Sequence, residues 1–214
     1  ESKAANYAGL REYIKTFGQD KIILMEHNTD IFGQSMDISH SANTQPPVRL
    51  RSPETAQHAT DVRDDLFMPE LYRYTFPELV ATNRECGEDE ESYKAMAGFS
   101  FLYGLRFDMT IYRCCGSLRD IPRYAAYLKE ISALYEQYGD FLLRGRFVDG
   151  DGFTSDSENV LVKGWEGCNG GLAVSLWNPT GEDQVVNLRS RRTGRAVTII
   201  VPAERVAAAV IDEA

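Results

Sequence analysis

Histidine and cysteine are both scarce in this chain, with three of the first and four of the second among 214 residues. Cys86, Cys114, Cys115 and Cys168 are too few for a disulfide framework and lack the paired CxxC spacing of a zinc site. They read as small buried or loop thiols, although the adjacent Cys114 and Cys115 leave open a vicinal disulfide or a bridge to Cys86. His40 and His58 fall in loop-like sequence, too isolated for a metal site, so neither metal nor cofactor is expected. No run approaches the roughly 20 apolar residues of a membrane-spanning helix, and no charged-then-apolar leader opens the chain. The molecule reads as soluble with no membrane partner, and export of the full-length protein to the periplasm or medium stays open. Basic residues are outnumbered, giving a formal net charge of −9. The one dense basic cluster, Arg189, Arg191, Arg192 and Arg195, flanks a turn and reads as a solvated hairpin end, so nucleic acid is excluded as a partner.

What is present is apolar material for one sizeable core or two small ones, at 43% hydrophobic and 11% aromatic content. A helix is expected over about 3–17, with the stripe Tyr7, Leu10, Ile14, Phe17 and a stop at Gly18. The run Lys21 to Met25 reads as a parallel strand buried on both faces, ending abruptly in Glu26, His27, Asn28, Thr29 and Asp30. Residues 31–66 show no clean periodicity, and Ser52-Pro53-Glu54 signals a short helix near 53–65. A second strand is expected over Leu71 to Phe76. The acidic run Glu88 to Glu91 then opens a helix that closes at Gly104, and a third strand follows over Leu105 to Ile111. The last long helix is expected from an Asp120 N-cap to Gly139, with Tyr124, Leu128, Ile131, Tyr135 and Tyr138 as a core stripe.

From Phe141 onward, short apolar alternations at about 143–148, 159–165, 171–177, 183–189, 195–201 and 205–211 are separated by Asp-Gly, Asn-Gly-Gly and Thr-Gly turns. This is the pattern of an antiparallel sandwich, in which Trp165 and Trp177 read as core. Two domains are expected, over 1–141 and 142–214.

The stretch Met68-Pro69-Glu70-Leu71-Tyr72-Arg73-Tyr74-Thr75-Phe76-Pro77-Glu78, with Phe101-Leu102-Tyr103-Gly104-Leu105-Arg106-Phe107-Asp108, resembles the last strands of glycoside-hydrolase-like (β/α)8 barrels. The tail Leu172-Ala173-Val174-Ser175-Leu176-Trp177-Asn178-Pro179-Thr180 is similar to the C-terminal β-sandwich behind such barrels, in clans that include α-galactosidase-like and related bacterial enzymes. The resemblance implies an α/β plus all-β fold: a partial barrel of about three βα units, followed by a small antiparallel β-sandwich. A closed barrel needs eight such units and typically about 250 residues. The chain also opens on a helix rather than a strand or signal. A missing N-terminal segment, or self-association, is therefore expected to complete the barrel.

On that resemblance the strands at 21–26, 71–76 and 105–111 would be approximately the sixth, seventh and eighth, with a carbohydrate substrate bound at their C-terminal ends. Glycosidic cleavage needs a protonated carboxyl at the leaving oxygen and a second carboxylate on the opposite face. Glu26, following Ile-Ile-Leu-Met, is the first candidate, since partial desolvation would raise its pKa. It is equally open to a structural role, binding a loop amide or an arginine. Asp30 is a rival with a looser tether, Glu70 and Glu78 are candidates if the strand count shifts by one, and the second carboxylate is expected outside this chain. His27, Tyr72, Arg73, Arg106 and Asp108 are candidate substrate-binding residues, and a buried Arg73–Asp108 ion pair is the commoner alternative for those two. The competing reading is a non-catalytic carbohydrate-binding or scaffold protein with a degenerate barrel site.

Overall fold

The computed structural model describes residues 3–26, 33–40, 69–87, 90–111 and 115–213. Helix α1 (Lys3–Lys15) leads into strand β1 (Leu24–Glu26), followed by β2 (Ile38–His40), helix α2 (Pro69–Thr75), β3 (Val80–Gly87), α3 (Glu90–Leu102) and β4 (Arg106–Ile111). The four strands form a parallel sheet in the order β1-β2-β3-β4.

The expected strand over 71–76 is a helix instead, and the strand follows it. Pro69 and Glu70 in the first turn are helix-start signals. Tyr72 and Phe76, four residues apart, meet ring to ring at 5.5 Å, a helical spacing. β3 escapes a hydrophobicity reading because, among its side chains whose burial is described, the buried ones are Ala81 and Asn83. Asn83 Nδ2 donates to Ser100 Oγ of α3 at 3.0 Å, which satisfies a polar group under the helix. β2 was not anticipated, being three residues long with no apolar run. His40 thus lies on a strand rather than in a loop. The helix expected near 53–65, and His58 within it, lie outside the described residues.

α3 ends as expected at Gly104. The Gly104 N–H donates to Phe101 O and the Leu105 N–H to Ser100 O, a Schellman closure with Gly104 at φ +62°. After a 3₁₀ turn (Leu118–Asp120), α4 (Pro122–Leu142) buries Tyr124, Tyr127 and Ile131 and continues past Gly139 to Leu142. Asp120 shapes the preceding turn, accepting from the Ser117 N–H at 2.7 Å. α1 buries no residue fully, and Leu10 and Phe17 of its expected apolar stripe remain exposed.

Seven strands follow: β5 (Arg146–Asp149), β6 (Phe153–Ser155), β7 (Leu161–Glu166), β8 (Leu172–Trp177), β9 (Gln184–Ser190), β10 (Ala196–Val201) and β11 (Val206–Asp212). They form two antiparallel sheets, β11-β8-β7-β5 and β10-β9-β6. Phe153, Leu172, Val174, Leu176, Val186, Leu188, Val201 and Ile211 form the core of these strands. Every residue of β8 is buried. Leu172, Val174 and Leu176 join that core, whereas Ser175 and Trp177 meet α3 from the other face.

The main core draws on both sides of Leu142, joining Phe99, Phe101, Tyr124 and Tyr127 to Phe147, Trp165 and Trp177. A polar link crosses it: Trp165 Nε1 donates to Ser175 Oγ at 2.9 Å, and Ser175 Oγ donates to Leu102 O at 2.8 Å. At Gly98 the helix backbone comes so close to Trp177 that a Cβ would lie 2.3 Å from the indole Nε1.

Candidate functional site

In parallel α/β sheets, ligands gather at the carboxyl ends of the strands. Glu26 is the last residue of β1 and the register partner of His40, the last residue of β2. β3 lies between β2 and β4, and His40 Nε2 reaches across it to Asp108 Oδ2. Their side chains keep 17% and 25% of their exposure, so the pair borders solvent rather than sitting in the core. The imidazole N–H is placed to donate to the carboxylate, fixing the Asp108 rotamer on that face. Glu26 and His40 thus share one row of the sheet, and the His40 side chain reaches to Asp108, two residues further along than Arg106, which pairs with Thr82. Residues 27–32, 41–68, 88–89 and 112–114 continue from the ends of the four strands and lie outside the described residues, as do His27 and Asp30 within them.

The remaining candidates fall elsewhere. Tyr72 and Arg73 are on α2, not alternating along a strand. Arg73 is 6% exposed, stacks its guanidinium 5.3 Å from the Trp165 ring centroid and forms no ion pair with Asp108. Arg106 opens β4 at the N-terminal end, where its guanidinium lies 5.8 Å from the Tyr135 ring centroid. Glu78 sits exposed in the turn between α2 and β3, before the strand rather than at its carboxyl end.

Glu70 is held in an ion cluster that ties α2 to β7. Lys163 Nζ contacts Glu70 Oε1 at 2.7 Å and Asp149 Oδ1 at 2.5 Å, and Tyr103 Oη donates to the same Glu70 oxygen. Burial works to raise the Glu70 carboxyl, but the hydrogen bonds from Lys163 and Tyr103 outweigh it and hold the pKa below its ordinary value. The Glu70 carboxylate thereby joins α2 to β7. Burial and the Glu70 hydrogen bond raise the Tyr103 phenol. On Lys163, burial opposes the charge but its two carboxylate partners prevail and raise its pKa.

Sequence reasoning missed the partnership of His40 with Asp108, because no periodicity marks a three-residue strand. It also missed Lys163, whose partners lie far from it in the chain. Among the described residues, no group of three His, Cys, Asp or Glu side chains could hold a metal ion, and no helix is long and apolar enough to cross a membrane.

No protein-family model matches the chain, and no curated protein matches it in sequence. Among solved structures the fold is similar to the crystal structure of a noncanonic maltogenic α-amylase, AmyB, from Thermotoga neapolitana. The TM-score is 0.53 at 12% identity, over 99% of this chain and 57% of that one. The chain thus spans little more than half the length of that protein. The likeness is one of fold: a mixed α/β arrangement of a parallel sheet and antiparallel sheets, coarsely like that of a glycoside hydrolase.

Proposed function

We propose that the chain is the C-terminal portion of a glycoside hydrolase that cleaves O-glycosidic bonds by carboxylate acid/base catalysis. In this reading the four parallel strands belong to a (β/α)8 barrel, and the strands after residue 142 form its β-sandwich domain. The observation that carries it is the fold likeness to an amylase over nearly the whole chain, with Glu26 at a strand's carboxyl end. Glu26 would donate the proton to the leaving oxygen, with Asp30 as its rival. Asp108, oriented by His40, would accept from a sugar hydroxyl, and His27, next to Glu26 in the sequence, would hydrogen-bond the sugar. The second carboxylate would come from outside this chain, and its distance from Glu26 would decide whether configuration is retained or inverted.

Starch is the first substrate to offer, since the structural neighbour is an amylase. In the complete protein, Glu26→Gln should reduce turnover of unactivated glycosides by about 10²–10⁴-fold, the contribution typical of a positioned general acid. Aryl glycosides with good leaving groups need less protonation and should lose far less. Equal losses on both substrates, or none, would remove Glu26 from the acid role. Sugar binding without turnover in the unaltered protein would favour the non-catalytic reading instead.

A further inference from the structure

The amino ends of β3 and β4 border a cleft of about 290 Å³. Its walls come from the α2–β3 turn, the start of β4 and the segment after α4, and three arginines line it: Arg73, Arg106 and Arg144. Arg144 is already paired with Asp140, its Nε 3.0 Å from the carboxylate. Arg73 and Arg106 are not so provided for. Arg73 is the more buried, its Nε has no hydrogen-bond partner, and neither guanidinium meets a carboxylate among the described residues. Their contacts are a long Arg106 Nη1–Gly104 O hydrogen bond of 3.4 Å and the faces of Trp165 and Tyr135.

Buried cations without counterions are costly, because desolvation is not offset by pairing. Here burial lowers the pKa of both, and for Arg73 the nearby Arg106 adds repulsion. Two local features oppose this positive charge. Glu78 lines the cleft but is exposed and forms no ion pair with a described residue. The carboxyl end of α4 contributes about half a negative charge, too little to balance two guanidinium groups.

We propose that this cleft is a binding site for one small oxyanion, of the carboxylate or phosphate class, held between Arg73 and Arg106 with Arg144 at its mouth. The planar guanidinium fork matches the paired oxygens of either group. The volume lies at the small end of ligand pockets, which run about 300–1,000 Å³, so it suits an ion with its water rather than an oligosaccharide. None of Glu26, His40 and Asp108 lines the cleft, and the proposal does not depend on the glycosidase reading.

The test is titration of the complete protein with sodium phosphate and, separately, sodium acetate at constant ionic strength, following the unfolding temperature and the heat of binding. Expected is a saturable rise with at least one anion, with one site per chain, and the tighter of the two identifies the class. Arg73→Met should weaken that binding at least tenfold, and Arg106→Gln should do the same if Arg73→Met fails to fold. Arg192→Gln, on the distant β9–β10 turn, should leave it unchanged. No saturable response to either anion, or a response that survives loss of both Arg73 and Arg106, would overturn the proposal.

Discussion

The substitution of Gly98 by alanine tests how closely α3 is seated on the antiparallel strands. An added Cβ would lie 2.3, 2.5 and 2.7 Å from Nε1, Cδ1 and Cε2 of Trp177, about 1 Å inside ordinary contact. The indole is 2% exposed and packs edge-on to Phe99, so it has little room to swing away. Alanine gains about 1 kcal/mol of helix propensity over glycine, while overpacking a tight core costs typically about 1–3 kcal/mol and occasionally more. The close approach to three ring atoms puts this site at the costly end, for a net loss of about 1–2 kcal/mol. At about 2–4 °C per kcal/mol for a chain of this size, Tm should fall by about 2–8 °C. Gly9, in the exposed middle of α1, has nothing within 4 Å of its Cβ position. There the same change should raise Tm or leave it unaltered. Calorimetry of both variants at one pH reads the contrast. In a Trp177→Leu background the cost of Gly98→Ala should shrink or change sign, since the clashing ring is gone. Equal or higher Tm for Gly98→Ala in the unaltered background would refute the packing argument.

Other expectations follow from the charged clusters. Lys163→Met removes the cation shared by Glu70 and Asp149 and should cost about 2–3 kcal/mol in denaturant titration; pairing it with Glu70→Gln should cost less than the sum of the two single changes. Asp37 accepts from Lys15 Nζ and the Ile23 N–H, both at 2.9 Å, and pairs with Arg11. Burial would raise its pKa, but these partners together hold it at about 2. The stability it contributes is fully present above its ordinary value of 3.8 and is lost as pH falls toward about 2. Asp37→Asn should therefore flatten that part of an acid-unfolding curve, and an unchanged curve would contradict the assignment. Asp212, 2% exposed, accepts from Ser190 Oγ at 2.6 Å and Thr193 Oγ1 at 2.5 Å. Asp212→Leu should lower Tm more than Ser190→Ala, because it leaves two hydroxyls unsatisfied. If Asp108 contacts substrate, His40→Gln should raise KM more than it lowers kcat, and a change confined to Tm would assign the pair a structural role only.

How far the chain could be read without its fold differs by region. The strands from Arg146 onward were legible because turn residues separate short alternations, and β7 to β11 lie close to their expected positions; only the three-residue β6 escaped notice. The Gly104 helix end was legible for the same local reason. The segment 69–87 was not, since Leu71–Phe76 is rich in strand-favouring aromatics while β3 buries Ala81 and Asn83. The carboxyl-end position of Glu26 was visible as an apolar run breaking into polar residues.

Composition and local pattern alone thus determined the classes of element, the helix stops, the antiparallel strand series and the poverty in metal-ligating side chains. These rest on periodicity and on residues within a few positions of one another. The tertiary structure decided the rest: the exchange of helix and strand between 69 and 87, the reach of His40 over β3 to Asp108, the Glu70–Lys163–Asp149 cluster, and the meeting of Arg73 with Arg106. The last three join residues well separated in the chain, and only sheet order and helix packing bring them together, where charge and desolvation set their chemistry.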